Sequence, residues 1–161
     1  MFLKIGHTEF PPKGKPVLIW DGNCGFCKYW VTRWQHIAGD QISFRTFQDA
    51  ASSFKDIPLK EFKKASRLIE PSGSIYSGPD SAYRLYDYSS NHDYPYHNWY
   101  AKKVLFMKLS DHGYNWIAKH RPFMFRLTKI LFGTDPLSLK YYWLFYILAL
   151  MIVFYLIGKN I

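Results

Sequence analysis

The spacing of apolar and polar positions changes period along the chain, and each change predicts an element. Val17-Leu18-Ile19-Trp20 is a short apolar run stopped by Asp21-Gly22, the pattern of a strand covered on both faces. Beyond it, Phe26, Trp30, Val31, Trp34, Ile37 and Ala38 share one helical face, while Lys28, Thr32, Arg33 and Gln35 lie elsewhere. Asn23 is the expected N-cap of that helix and Gly39 its stop. Ile42-Ser43-Phe44-Arg45-Thr46 alternates as a second strand, so a right-handed crossover and parallel pairing are expected. A short helix is expected over 59–65. Residues 67–70 and 74–77 flank Pro71-Ser72-Gly73 and read as an antiparallel hairpin, after which Pro79 opens a helix carrying Ala82, Leu85 and Tyr86.

The last apolar block differs in kind. "YYWLFYILALMIVFYLIG", residues 141–158, carries no charge over 18 residues. As a helix it is about 27 Å long, close to the roughly 30 Å hydrocarbon core of a bilayer. Tyr141, Tyr142 and Trp143 at one end and Tyr155 near the other suit the membrane interface. A buried core helix or a dimerisation helix would normally keep a polar stripe, and this segment has none. Arg121, Arg126, Lys129 and Lys140 precede the segment and only Lys159 follows it, which places the preceding domain in the cytoplasm. The N-terminus lacks a continuous apolar signal-peptide core, and Pro11, Pro12, Gly14 and Pro16 read as a loose leader. The expected layout is a flexible leader at 1–15, a domain at 16–133, a hinge at 134–140, a single-pass membrane anchor at 141–158 and a short tail at 159–161. Two basic, aromatic segments, "WYAKKVLFMKL" and "WIAKHRPFMFRLTKILF", either cover the sheet or lie along the membrane surface.

Composition narrows the class of protein. At 161 residues and 48% hydrophobic content the chain suits one ordinary domain. A formal charge of +9 permits attraction to anionic surfaces, but the basic residues are dispersed and no nucleic-acid motif accompanies them, so nucleic-acid binding is not expected. The two cysteines are too few for the disulfide framework of a small secreted domain, which implies a reducing compartment.

Both of those cysteines lie in "DGNCGFC", at the first strand-to-helix junction. With the expected order β-α-β-α-β-β-α, this α/β chain resembles the thioredoxin fold, with extra C-terminal helices and one C-terminal transmembrane helix. More narrowly, "LIWDGNCGFC", "YSGPDSAYRL" and "YNWIAKHRPFMFRL" resemble the DCC family of predicted thiol–disulfide oxidoreductases, over roughly residues 16–133. The resemblance implies protein-disulfide reductase chemistry at Asp21, Cys24 and Cys27, the residues for which that family is named. Thioredoxins place a cis-proline just before the third strand, where it helps hold a substrate's extended backbone. Here that place reads Ala65-Ser66-Arg67 and Pro58 lies too early, so their mode of docking does not carry over.

The chemistry also follows from position. With Asn23 as cap, Cys24 takes the first helical position, where unpaired N–H groups and the helix dipole favour thiolate over thiol. Cys24 is therefore the expected exposed nucleophile that forms a mixed disulfide, and Cys27, nearly one turn on, resolves it. Asp21 has two readings, a turn-stabilising side chain or a general base exchanging a proton with Cys27. Phe26 either packs inward or flanks a substrate, and Lys28 either tunes a thiol or is simply solvated. Cys24, Cys27, His92 and His97 formally make a zinc-compatible set, although the pairs are unusually far apart. A non-catalytic redox sensor or interaction module at the membrane is a third reading. The preferred one is dithiol–disulfide exchange with a disulfide- or dithiol-containing protein, with no organic cofactor and no metal. Membrane lipid is met through the C-terminal helix, and reduction of the partner's disulfide is the expected direction.

Overall fold

A mixed sheet of four strands, ordered β2-β1-β3-β4, positions the cysteine helix at the end of its central strand. The computed structural model describes residues 1–89 and 94–159. Strand β1 (Val17–Trp20) pairs in parallel with β2 (Ser43–Thr46), Leu18 opposite Phe44, through the crossover helix α1 (Gly25–Ala38). On its other side β1 runs antiparallel to β3 (Arg67–Ile69), Leu18 opposite Leu68, and β3 forms the expected hairpin with β4 (Ile75–Ser77). The strand and helix order bears out the thioredoxin-like α/β reading.

Alternation along β1 builds two cores. Val17 and Ile19 face one side and pack with Phe47, Phe54, Phe62, Ile69 and Ile75. That side is covered by α2 (Phe47–Ala50) and α3 (Leu59–Lys64). Leu18 faces the other side and packs with Val31, Ala38, Ile42, Leu68 and Leu85, drawn from α1, β3 and α4 (Pro79–Tyr86). A central strand buried on both faces is the outcome its continuous apolar run predicts.

One charged pair lies inside. Arg67, on β3, is fully buried; its guanidinium reaches Glu61 Oε2 of α3 at 3.5 Å and donates to Ser77 Oγ and to the Leu3 carbonyl. The Glu61 carboxylate also takes the Leu3 N–H at 3.0 Å and Lys64 Nζ at 2.8 Å. These bonds draw the N-terminal residues onto the domain. Thr8 N–H donates to the Gly73 carbonyl and Ile75 N–H to the Gly6 carbonyl, both at 3.0 Å, while Phe2 is buried against Tyr114.

After α4 the chain continues through α5 (Tyr96–Lys102), α6 (Val104–Lys119) and α7 (Arg121–Phe132). Helix α5 is not among the separate elements that the sequence pattern predicts. Its rings pack on one another and on α4, Tyr83 standing 5.9 Å from Tyr100, so tertiary contact rather than an amphipathic period forms it. Helix α8 (Tyr142–Lys159) has a mean hydropathy of 1.8 and buries none of its residues, and it is long and apolar enough to cross a membrane. The segment before α8 is held to the cysteine helix. Tyr29 donates its hydroxyl to the Gly133 carbonyl at 3.0 Å, and Arg33 reaches the Pro136 carbonyl at 3.3 Å.

Candidate active site

The site begins where β1 ends. Asp21 folds the chain back on itself: its Oδ1 accepts the Asn23 N–H at 3.1 Å, and its carbonyl accepts the Cys24 N–H at 3.1 Å. Gln48, just beyond β2, donates Nε2 to the same Oδ1 and accepts the Gly22 N–H, tying the turn to the neighbouring strand. Such an Asx turn leaves Asn23 outside the helix, so the expected capping role of Asn23 is corrected. Cys24 itself is the N-cap, with extended backbone (φ −98°, ψ 108°), and its Sγ accepts the Cys27 N–H at 3.1 Å. A sulfur in the capping position faces the helix's unpaired N–H groups even more directly than one in the first turn.

Cys24 and Cys27 form a disulfide, their Cα atoms 5.2 Å apart, well inside the range such a bridge needs. Cys24 is 9% exposed and Cys27 is half-buried, which reverses the expectation that Cys24 would be the more open sulfur. Helix α7 accounts for the crowding around the start of α1. A Cβ built on Gly25 would stand 2.9 Å from the Phe125 ring, so any larger residue here would push that ring aside.

The same helix delivers a residue that sequence reasoning counted only as a flanking charge and gave no role at the site. Arg121, the first residue of α7, donates Nη1 to Asp21 Oδ2 at 3.0 Å, and its Nη2 lies 3.4 Å from the Lys63 carbonyl at the end of α3. One guanidinium thus joins the turn before Cys24, the C-terminal end of α3 and the start of α7. With Arg121, Gln48 and the Asn23 N–H as donors, both Asp21 oxygens are occupied in holding the turn. No local signal marks Arg121; the only pointer was its place in the family-like "YNWIAKHRPFMFRL" segment.

Beside Cys27 a cavity of about 450 Å³ opens between α1, α4, α6 and α7. Trp20, Phe26, Trp30, Tyr83, Tyr114 and Met124 are among its walls, and Asp21 and Arg121 lie at its polar corner. Cys27 lines it and Cys24 does not. Phe26 therefore faces this space, its ring edge-on to Trp30 at 6.4 Å, and Lys28 is exposed. Ala65 and Ser66, in the place of the thioredoxin proline, also line the cavity, and no cis peptide bond occurs among the described residues. The Ser66 N–H is taken by the Tyr114 hydroxyl at 3.0 Å and the Ser66 carbonyl by the Gly78 N–H at 2.9 Å.

The zinc-compatible set is not assembled by the described residues. His97 pairs with Asp80, Nδ1 to Oδ1 at 2.8 Å, and stands edge-on to Tyr76. His92 lies outside the described residues, and among those described no group of three or more potential ligands comes together.

A disulfide that caps its own helix, at the carboxyl end of the central strand of a thioredoxin-like sheet, defines a thiol–disulfide redox site. The family model described as DCC1-like thiol-disulfide oxidoreductase matches residues 18–127, and the chain belongs to that family. Asp21, Cys24, Cys27, Tyr114 and Arg121 all fall inside the match, and α8 falls beyond it. No curated protein and no solved structure matches the chain.

Proposed function

We propose that the chain exchanges its Cys24/Cys27 dithiol with the disulfides of partner proteins, tethered by α8 to a membrane with the domain on the cytoplasmic side. The observation that carries the reading is the Cys27 N–H directed at Cys24 Sγ from the first turn of α1. Negative charge on that sulfur is stabilised by the hydrogen bond and by the helix dipole, which makes Cys24 the nucleophile. Its thiolate attacks one sulfur of a partner disulfide, forming a mixed disulfide and releasing the partner's other sulfur as thiolate. Cys27 then attacks Cys24 Sγ; the internal disulfide forms, and the partner leaves with two electrons and, once protonated, two thiols. Asp21 and Arg121 act as positioning residues that hold the turn from which Cys24 is presented. The low exposure of Cys24 favours a partner sulfur at the end of an exposed loop over one on a flat surface.

Trapping tests the assignment. The Cys27→Ser chain, in a membrane, is expected to accumulate mixed disulfides with partner proteins, whereas Cys24→Ser accumulates none. The reverse result exchanges the two roles. A wild-type chain that changes oxidation state once but never turns over a model disulfide in the presence of a recycling thiol is a sensor, not a catalyst. The cytoplasmic side is read from the charge imbalance around α8, with Lys129 and Lys140 before it and Lys159 at its end; protease accessibility of the domain in sealed vesicles tests that side.

A further inference from the structure

We propose that the cavity beside Cys27 binds a lipid-soluble quinone, to which Cys27 hands the electrons of the dithiol. The inference rests on the exchange reading above, and it gives the pair a second face: partner sulfur meets Cys24, and a small oxidant meets Cys27.

Four features of the cavity point to this ligand. Its volume of about 450 Å³ falls within the range of small-molecule sites, about 300–1,000 Å³. Its walls are rich in flat rings, Trp20, Phe26, Trp30, Trp34 and Phe62 among them, which favour a planar ligand over a flexible acyl chain. Of the two cysteines only Cys27 lines the wall, so a ligand there contacts one member of a redox pair. An extended peptide is disfavoured, because both backbone groups of Ser66 already have partners in Tyr114 and Gly78.

Polar donors are placed for a carbonyl oxygen. Ser81 gives its hydroxyl proton to the Gly78 carbonyl at 2.7 Å, so in the 2.8 Å Ser66–Ser81 contact the donor is Ser66. Tyr114 already accepts the Ser66 N–H, and its own proton meets Ser66 Oγ only at a long 3.2 Å. That proton is the one a ligand oxygen in the cavity can claim. The Arg121 guanidinium, which also lines the cavity, favours negative charge as it develops on a reduced ring oxygen.

The route to the lipid is also short. Met124, Leu127 and Leu131 of α7 form one wall, and α7 packs against α8. A ligand partitioned into the bilayer therefore reaches this wall from the side of the anchor.

The electron count closes. Cys27 thiolate adds to the quinone ring, forming a carbon–sulfur bond. Cys24 thiolate attacks Cys27 Sγ, the disulfide forms, the carbon–sulfur bond breaks and its electron pair stays on the ring. Two protons, one from each original thiol, end on the two ring oxygens, giving the quinol. The same exchange at Cys24 then runs in reverse of the partner-reducing direction given above: a partner dithiol restores the reduced pair and leaves oxidised.

The test uses the full chain in lipid nanodiscs, pre-reduced and freed of reductant, with a decyl-tailed, fully substituted benzoquinone as probe. The expected result is one quinol formed per chain with loss of both thiols, and no reaction for Cys27→Ser. Gly113 lines the cavity and a Cβ there meets nothing within 4 Å, so Gly113→Phe adds bulk at the cavity wall without a clash at its Cβ. That variant is expected to slow quinone reduction at least tenfold and to leave oxidation of the pair by soluble glutathione disulfide unchanged. Quinone reduction at the wild-type rate in Gly113→Phe overturns the proposal, because the reaction then occurs outside the cavity. A wild-type chain that is oxidised by the soluble disulfide but not by the quinone also overturns it and leaves the exchange reading standing. A chain oxidised by neither overturns both.

Discussion

Arg121 Nη1 donates to Asp21 Oδ2 across 3.0 Å and 100 residues of sequence, so the first residue of α7 clamps the turn that launches the cysteine helix. Asp21 receives this bond together with those from Asn23 and Gln48, and its carboxylate is committed to shaping the loop. Asp21→Asn is expected to cost about 1.5–3 kcal/mol in urea unfolding, the worth of hydrogen bonds to a charged group, while the pH profile of disulfide exchange keeps its shape. Loss of a limb of that profile near neutral pH would instead assign Asp21 the proton-transfer role.

Acid stability is expected to track Glu61. Its carboxyl is held below the ordinary carboxylate value, chiefly by the hydrogen bond from Lys64, with burial opposing and the Leu3 N–H and Arg67 assisting. A folded-state value below the unfolded one means that the stabilisation is complete above about pH 4.3 and is lost as pH falls through the folded value. Glu61→Gln should remove that part of the acid transition. At neutral pH it should cost about 3–5 kcal/mol, since it leaves Arg67 fully buried without its counter-charge. Urea unfolding between pH 3 and 7 reads both effects.

Tyr29 couples the cysteine helix to the segment that leads into α8 through one buried hydrogen bond to the Gly133 carbonyl. Tyr29→Phe is expected to cost about 1 kcal/mol and to speed amide exchange selectively in residues 133–140. Uniformly faster exchange across the domain would mean that the bond does not serve the hinge in particular.

Gly113 sits inside α6 with no atom within 4 Å of the position its Cβ would occupy. Gly113→Ala should therefore raise stability by about 0.5–1 kcal/mol through lower backbone entropy in the unfolded chain, measured as a higher urea midpoint at unchanged slope.

Local pattern made much of this architecture legible. The apolar run at Val17–Trp20, the face carried by Phe26, Trp30 and Trp34, and the Pro71-Ser72-Gly73 connector each report an element whose period or turn chemistry is written within a few neighbouring residues. What stayed hidden depends on distant partners. Helix α5 is held by aromatic contacts with α4 that no window of sequence contains, and Arg121 meets Asp21 only once α7 has folded over α1. The misplacement of the cap has a different cause: Asn23 and Cys24 are adjacent and both carry acceptors, and the choice falls to Asp21, whose side chain takes the Asn23 N–H first. The cavity is likewise a property of four helices together, although Phe26 on its walls was visible singly.

The bonds from Tyr29 and Arg33 to the carbonyls of Gly133 and Pro136 have a geometric consequence for any encounter. With α8 embedded, the sulfurs ride at a fixed height on a short, stiff mast instead of sweeping a volume on a slack leash. Collision frequency would then scale with how many targets populate the same patch of bilayer, not with how many dissolve in the bulk, and partner sulfurs that stand far above the lipid would be out of reach.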